Sequence, residues 1–180
     1  NGDGKMDIVV GNKKGVFAFI QTKVDPKTAS KKNAKSKGVF REGESLTISR
    51  RTGSVAPQNM HKYGAGNWSG NSHLWWTRGK INDQIELTFT VPTAGKYRLG
   101  VGLTKAKAYG IVQLSLDGKN VGQHVDLYND GVVHTGTISL GGPIQLKSGQ
   151  HRLGVKITGA NPKAIKSYMF AIDYLLLHPG

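Results

Sequence analysis

The sequence has no cysteine and few acidic residues. Without Cys among its 180 residues, the chain cannot use a disulfide framework, Cys-ligated zinc, an iron–sulfur cluster or a thiol nucleophile. Any metal must therefore be bound by oxygen or by histidine. Only 11 Asp and Glu stand against 25 Lys and Arg, for a formal net charge of +14. Such an excess indicates an anionic partner, or a surface that must keep molecules apart.

The sequence also has no long apolar run and no convincing amphipathic helix. Its apolar runs are far shorter than the roughly 20 residues that a transmembrane helix needs. The first residues do not form a charged and then apolar signal peptide. We therefore expect a soluble protein with no membrane partner.

Residues 1–21 resemble a calcium loop that leads into a strand. Asn1, Asp3 and Asp7 alternate with glycine and small residues, which places oxygen ligands around one point. The pattern is similar to the repeat of integrin-type β-propellers, although its first Asp would precede Asn1. We expect residues 1–21 to be the remnant of an upstream propeller-type repeat. A simple Gly/Asp turn before an edge strand is the alternative.

Residues 22–37 have the composition of a linker. They are rich in Lys and nearly free of apolar side chains. Residues 1–37 contain nine Lys against three Asp, a net charge of +6, which leaves +8 for residues 38–180. The linker could contact an anionic surface, but a run of charge is more often simply solvated.

From Gly38 onward, the dominant apolar period is two. Alternation is unbroken over residues 85–91, resumes at Tyr97 after a Pro-Thr-Ala-Gly turn, and continues over residues 111–116 before Asp117-Gly118. Asp-Gly favours a tight type I′ hairpin turn. Further strands are predicted at residues 46–49, 135–140, 153–157 and 171–177. We expect an all-β domain over residues 38–180, an antiparallel two-sheet jelly-roll sandwich.

Five motifs in this domain occur in the order found in one known group of modules. The sequence resembles carbohydrate-binding modules of families 6 and 35, jelly rolls of the galactose-binding-like kind. The motifs are Glu42-Gly43-Glu44, residues 91–99 (VPTAGKYRL), residues 116–119 (LDGK), residues 146–153 (LKSGQHRL) and residues 172–175 (IDYL). The resemblance covers nearly all of residues 40–178 and implies carbohydrate binding without catalysis.

Glu42 and Glu44 form a candidate metal site. In a regular strand they share a face with Leu46, so both carboxylates would point toward buried side chains and would need a cation. Calcium is the natural candidate because it accepts carboxylate and backbone oxygens. The resemblance adds Asp173 of the last strand as a third ligand of a structural Ca²⁺. The alternative is a frayed strand end that meets only Lys or water.

Residues 59–80 hold all three tryptophans and many amide side chains. A sugar-binding site needs a flat aromatic ring below the C–H face of the sugar and polar groups at the rim. Trp75 and Trp76 are adjacent, so one should pack in the core while the other can be exposed. Trp68, among Gly, Asn and Ser, is the likelier loop residue, although a buried ring is the alternative for each Trp. The candidate ligand-binding residues here are Tyr63, Trp68, His73, Trp75, Trp76 and Arg78.

A second candidate cluster combines residues 105–109 with residues 126–128. In a jelly roll, the loops after these strands can converge at one edge and bring together Lys105, Tyr109, Asp126 and Tyr128. The resembled modules often have an Asn near the last strand, where this chain has Phe170-Ala171. Asn161 is the nearest substitute, and this departure leaves the choice between the two clusters open.

Other functions find less support in the sequence. Glycoside hydrolysis needs a pair of carboxylates, but the chain has three glutamates, two of them assigned to the ion. A lyase that uses Tyr and His stays possible by composition. Nucleic-acid binding would explain the charge, yet no nucleic-acid motif is present. A protein-adhesion or structural sandwich is the main alternative, because this fold hosts many functions.

Together, these features predict a non-catalytic carbohydrate-binding module of a secreted or cell-surface multidomain protein. Its net charge favours an anionic, sulfated or uronate-containing polysaccharide as the partner. Catalytic or propeller modules are expected elsewhere in the parent chain.

Overall fold

The computed structural model describes residues 8–12, 15–19 and 38–180. The chain divides into two compact units, Asn1–Lys35 and Ser36–Gly180. In the first, β1 (Ile8–Asn12) pairs antiparallel with β2 (Gly15–Phe19). The predicted metal loop of Asn1, Asp3 and Asp7 and the linker over residues 22–37 lie outside the described residues.

The second unit consists of two β-sheets. One has the strand order β10-β9-β13-β7-β4, and the other has the order β11-β8-β14-β6-β5, with β12 also paired to β8 and β3 to β14. The strand bounds are β3 Val39–Glu42, β4 Thr47–Arg50, β5 Ser54–Asn59, β6 Ser72–Thr77, β7 Gln84–Val91, β8 Gly95–Lys105, β9 Ile111–Leu116, β10 Lys119–Asp126, β11 Val133–Ser139, β12 Ile144–Leu146, β13 Gly149–Gly159 and β14 Phe170–Pro179.

This arrangement confirms the predicted all-β, antiparallel two-sheet jelly roll. The named strand pairs are antiparallel. Residues 38–180 contain no α-helix, only short 3₁₀ turns such as Gly43–Ser45, His61–Tyr63 and Ser69–Asn71. In the described part of the chain, no helix is long and apolar enough to cross a membrane.

The apolar side chains of the period-two pattern fill the space between the two sheets. On β7, Ile85, Leu87, Phe89 and Val91 are all buried in the main core. Each such side chain contributes roughly 1.5–3 kcal/mol by leaving water. The facing sheet contributes its own alternating residues, which are Tyr97, Leu99, Val101 and Leu103 of β8 and Phe170, Ile172, Leu175 and Leu177 of β14.

Strand β14 changes partner at Asp173. Its first residues, through Ile172, pair with β6, whereas Tyr174 and the residues after it pair with β3. Strand β3 ends at this junction, because Gly43 starts a 3₁₀ turn so close to β14 that a Cβ would overlap the Ile172 carbonyl oxygen. The regular strand assumed for Glu42 and Glu44 is therefore wrong, since Glu44 lies on the turn and not on β3.

The Asp117-Gly118 turn joins β9 to β10 as predicted. Asp117 and Gly118 have φ values of +48° and +82°, as a type I′ turn requires. The Asp117 carboxylate also accepts a hydrogen bond from the Arg152 amide across 2.9 Å and lies 2.7 Å from His151 Nδ1. The turn is thus tied to the neighbouring strand β13.

Candidate functional site

Residues 60–71 cover part of the outer face of the seven-stranded sheet. Met60 and Trp68 are 1% and 2% exposed, yet they lie outside the main core cluster. Beneath them, His73 of β6 and Thr104 of β8 are fully buried. Trp68 lies in a loop as predicted, but its ring packs against the outside of the sheet, so it is not an open contact for a sugar ligand.

A hydrogen-bond relay connects these buried side chains. Trp68 Nε1 donates to Thr104 Oγ1 across 2.8 Å, Thr104 Oγ1 lies 2.8 Å from His73 Nδ1, and His73 Nε2 lies 2.8 Å from Gln58 Oε1. An indole N–H can only donate and an amide oxygen can only accept. Neutral His73 therefore donates from Nε2 to Gln58 and accepts at Nδ1 from the Thr104 hydroxyl. All polar atoms of the relay are then satisfied by one tautomer.

His73 is consequently a structural residue rather than an accessible ligand contact. Burial lowers the pKa of His73 to about 4, despite the opposing charge of Asp173. A second ring proton, on Nδ1, would displace the Thr104 hydroxyl proton from its acceptor. Contrary to the prediction, His73 therefore does not lie at an open sugar-binding surface.

Trp75 and Trp76 point to opposite sides of β6, as adjacent strand residues must. Trp76 is fully buried, and its Nε1 donates to the Thr52 carbonyl across 2.7 Å. Trp75 is half-buried. Its partners on β5 and β14 are Ala56 and Ala171, and their small side chains leave room for the indole on the outer face. Trp76 is therefore a core residue, and Trp75 is the accessible one.

An apolar cleft of about 310 Å³ lies on one side of Trp75. It joins the two clusters that the sequence left as alternatives, since Tyr63 and Trp75 come from one and Tyr109 from the other. Its larger apolar lining residues are Met60, Tyr63, Trp75, Tyr109, Val132 and Met169. Tyr63 is 37% exposed, and the Lys62 ammonium lies 4.9 Å from the centre of its ring.

The loops after β8 and β10 converge at the rim of this apolar cleft. The Ala106 amide donates to the Leu127 carbonyl across 3.0 Å, and the Leu127 amide donates to the Gly110 carbonyl. Lys107 Nζ lies 3.8 Å from Asp130 Oδ1 at the rim. The two loops therefore lie next to each other, as predicted from the sequence.

Of the predicted second cluster, Tyr109 lines the apolar cleft, whereas Lys105, Asp126 and Tyr128 do not. Tyr109 is only 5% exposed, and burial raises the pKa of its hydroxyl. Tyr128 donates from its hydroxyl to Asp130. Lys105 and Asp126 line a different cleft, of about 680 Å³, between β10 and β11. Asp126 accepts hydrogen bonds there from the Tyr128 amide and from Asn161 Nδ2.

A basic cleft of about 630 Å³ lies on the other side of Trp75. Trp75 and Met169 line both this cleft and the apolar one. Arg78, Lys80 and Lys166 line it and are exposed, and no acidic residue lines it. Arg78 was a sequence candidate, whereas Lys166 and Tyr168 were missed.

Two residues of the basic cleft have strained backbones. Arg78 and Tyr168 have φ values of +61° and +51°, whereas the other non-glycine residues with positive φ in the described part of the chain are Asn or Asp. Asn and Asp tolerate this region, but for other residues it costs about 1–3 kcal/mol. Gly79 is buried between them, and a Cβ there would lie 2.5 Å from Ile157 Cδ1. The loop that carries Arg78 is therefore held firmly against the core.

The predicted metal residues converge where β3 ends. Ser69 donates from its hydroxyl to Glu42 Oε1 across 2.7 Å and from its amide to both Asp173 oxygens. Glu42 Oε2 and Glu44 Oε2 are buried without a hydrogen-bond partner in the described structure. Burial, with the charges of Glu42 and Asp173, raises the pKa of Glu44. Two orphaned carboxylate oxygens in one place are a suitable donor set for a hard cation.

The side chains of this carboxylate cluster do not by themselves enclose an ion. Within the described residues, no group of three or more His, Asp or Glu side chains has the spacing of a metal site. His134 Nε2 lies 2.9 Å from Asp173 Oδ2 but is not aligned for a hydrogen bond. A bound cation would therefore need backbone or water oxygens beside Glu42 and Glu44.

No protein-family model matches the sequence, and no curated protein matches it significantly. Solved structures do resemble the fold. A xanthan lyase from Paenibacillus superposes with a TM-score of 0.61 at 24% identity over 92% of this chain and 15% of that one. The GH26-CBM35 β-(1,4)-mannanase of Podospora anserina gives 0.52 at 17% identity, over 81% of this chain and 28% of that one.

A smaller neighbour matches over its whole length. The family 35 carbohydrate binding module from Clostridium thermocellum has a TM-score of 0.50 and 18% identity, with 81% of this chain and 100% of that chain covered. These likenesses do not support the propeller-type repeat predicted for residues 1–21. At such identities they establish the jelly-roll fold, and this chain spans only a small part of the two larger neighbours.

Proposed function

We propose that residues 38–180 form a non-catalytic carbohydrate-binding module. The observation that carries the proposal is the half-buried Trp75 in a cleft with Tyr63 at its side. An aromatic face can stack on the C–H face of a sugar ring, and a cleft of about 310 Å³ is at the lower end of small-molecule sites. Gln58, Lys107 and Asp130 line the same cleft and supply polar groups for the sugar hydroxyls.

The distribution of carboxylates supports binding rather than hydrolysis. Asp130 is the one acidic residue that lines the apolar cleft, whereas a glycosidase places two carboxylates across the scissile bond. Glu42 and Glu44 lie at the β3–β14 junction, and Glu86 lies on the other sheet, 3.9 Å from Arg152. The described part of the chain therefore offers this cleft no second carboxylate.

We infer that the preferred partner is an anionic polysaccharide, with sulfate or uronate groups. The net charge of +8 over residues 38–180 and the Lys and Arg side chains of the basic cleft support this preference. Exposed charges are screened over about 8 Å at physiological ionic strength, so affinity should fall as salt rises. Single sites of this shallow kind bind in the micromolar to millimolar range, and repetition along a polymer adds avidity.

A structural calcium ion at Glu42, Glu44 and Asp173 is part of the proposal. Calcium would neutralise carboxylates that meet where residues 69–71 cross the β3–β14 junction. Its role would be to attach this segment to the sheet. We also propose that the parent protein is secreted or located at the cell surface and carries catalytic or propeller modules elsewhere.

Affinity electrophoresis through gels that contain one polysaccharide each tests the proposed function. The names of the neighbours suggest xanthan and β-(1,4)-mannan as first probes, with dextran sulfate, polygalacturonate and DNA added, each at two salt concentrations. We expect retardation by at least one polysaccharide and none by DNA. Retardation by no polysaccharide would overturn the proposal, and release of soluble sugar from any gel would show an enzyme instead.

A further inference from the structure

We propose that Trp75 divides a composite binding site, with a neutral sugar unit bound in the apolar cleft and the acidic group of the adjacent unit bound in the basic cleft. This inference rests on the proposed function and adds the position at which the acidic group of the ligand binds. The ligand class is a polysaccharide in which acidic and neutral units are neighbours. Arg78, Lys80 and Lys166 would be its specificity-determining residues.

The charges of the two clefts differ. In the apolar cleft, the rim ammonium of Lys107 lies 3.8 Å from the Asp130 carboxylate. An acidic sugar there would meet a cation that already has a partner, and a carboxylate of like charge. In the basic cleft, no acidic residue lines the walls, and Arg78, Lys80 and Lys166 form no ion pair with another described residue. Among the residues that line the two clefts, the cations without an acidic partner therefore lie on the basic side.

The two clefts are close enough to take neighbouring units of one chain. Trp75 and Met169 line both, so a single indole and a single thioether separate them. A sugar polymer that crosses this ridge keeps contact with Trp75 while its next unit enters the other cleft. A monosaccharide can occupy only one side and should bind weakly.

The backbone strain of the basic cleft is consistent with a preorganised anion site. Strained conformations persist where the surrounding structure enforces them, and they concentrate at ligand-binding positions. Arg78 and Tyr168, the two residues least suited to positive φ, both line this cleft, and Gly79 fixes the loop against Ile157. A held Arg can offer its planar guanidinium fork to both oxygens of a carboxylate or sulfate.

The test compares acidic polymers with chemically neutralised forms of the same polymers. Hyaluronan and κ-carrageenan alternate an acidic unit with a neutral one, and carboxyl reduction or desulfation removes the charge from an otherwise retained chain. Isothermal titration against hexasaccharides of each form gives the acidic-to-neutral affinity ratio. We expect a ratio of at least ten for one of the two pairs.

Charge-removal variants test which residues produce this affinity ratio. In R78Q/K80Q/K166Q, we expect the ratio to fall to about one, whereas K96Q/K119Q/K147Q removes the same charge from exposed sites outside the cleft and should retain it. Arg78→Gly relieves the positive-φ strain while deleting the guanidinium, so it should lower the ratio without lowering the melting temperature. That result separates loss of binding from loss of folding.

The possible failures are distinguishable. A wild-type ratio near one, or equal ratios for the cleft variant and the control variant, would overturn the division of the site and leave carbohydrate binding intact. If wild type binds neither the acidic nor the neutral form of either polymer, the divided site is overturned. The proposed function is overturned as well only if none of the gel polysaccharides retards the protein.

Discussion

His73 Nδ1 lies 2.8 Å from Thr104 Oγ1, and this contact joins β6 to β8 beneath the segment that covers the outer face of the sheet. Thr104 Oγ1 accepts from Trp68 Nε1, and with His73 neutral its hydroxyl proton is directed at Nδ1. This arrangement uses the neutral form of the histidine, which burial favours by lowering the pKa of His73 to about 4.

Acidification should destabilise the protein through His73. Its folded pKa of about 4 is below the unfolded value of 6.5, so the unfolded state binds the proton first. The stability is fully present above pH 6.5 and is lost as the pH falls toward 4, by about 3 kcal/mol in total. Urea unfolding at a series of pH values measures this loss.

The variant His73→Asn isolates the effect of the histidine from that of the carboxylates. Asn offers an oxygen to Thr104 but does not titrate, so the difference in unfolding free energy between wild type and H73N should shrink between pH 6.5 and 4. A difference that is constant with pH would show that His73 is not the titrating group.

Replacing the half-buried Trp75 and replacing the buried Trp68 should have opposite consequences. Trp75→Ala removes the surface shared by the two clefts, so we expect at least a tenfold loss of polysaccharide affinity and a cost to folding of only about 1–2 kcal/mol. Trp68→Ala removes a buried ring and its hydrogen bond to Thr104, and should cost about 3–5 kcal/mol of stability. Titration calorimetry and thermal melting measure the two effects, and an unchanged affinity in W75A would contradict the proposed site.

Calcium should stabilise the module through Glu44. At a concentration about 100 times Kd, binding adds about 2.7 kcal/mol and should raise Tm by about 5–10 °C. Glu44→Gln should abolish this shift. Because burial and like charges raise the pKa of Glu44, the same variant should be no less stable than wild type in EDTA.

Glu86→Gln is the matched control for the calcium experiment, since Glu86 lies on the other sheet and is 3.9 Å from Arg152. It should keep the full calcium shift. Identical melting curves for wild type in calcium and in EDTA would refute the ion.

Asp117 should control the protonation of His151. Burial by itself lowers the pKa of His151, but the Asp117 hydrogen bond, the Lys147 carbonyl and the Asp117 charge together raise it above 6.5. This contribution to stability is present below pH 6.5 and is lost as the pH rises through the folded pKa. In Asp117→Asn, the NMR titration midpoint of His151 should move down, and an unmoved midpoint would exclude the carboxylate as the cause.

The fold could be predicted wherever the local pattern was clear. The alternation of residues 85–91 became β7, and Asp117-Gly118 became the β9–β10 turn. Strand β5 was missed because it carries Pro57 and lacks alternation, which an edge strand tolerates. For β6, the opposite-face argument for Trp75 and Trp76 assumed a strand, but its bounds were not predicted. The outer face, with His73 and Trp75, is covered by other residues, so both faces are partly or wholly buried and the alternation is lost.

The site was only partly predictable. Trp75 and Arg78 stood among the sequence candidates, but so did His73 and Trp68, which have similar sequence surroundings and are buried. Lys166 and Tyr168 carried one signal, a loop with a cation and an aromatic directly before β14. Their meeting with Arg78 depends on the β6–β14 pairing, which the sequence does not show.

The sequence by itself determined the all-β sandwich, since a side chain's face on a strand follows from its position and the apolar period is local. It also determined the basic charge and the absence of thiol chemistry. Only the tertiary structure decided which aromatic rings remain accessible, because exposure depends on where residues 60–71 lie. That segment is held over the sheet by contacts such as Trp68–Thr104, 36 positions apart in the chain, and no local pattern encodes them.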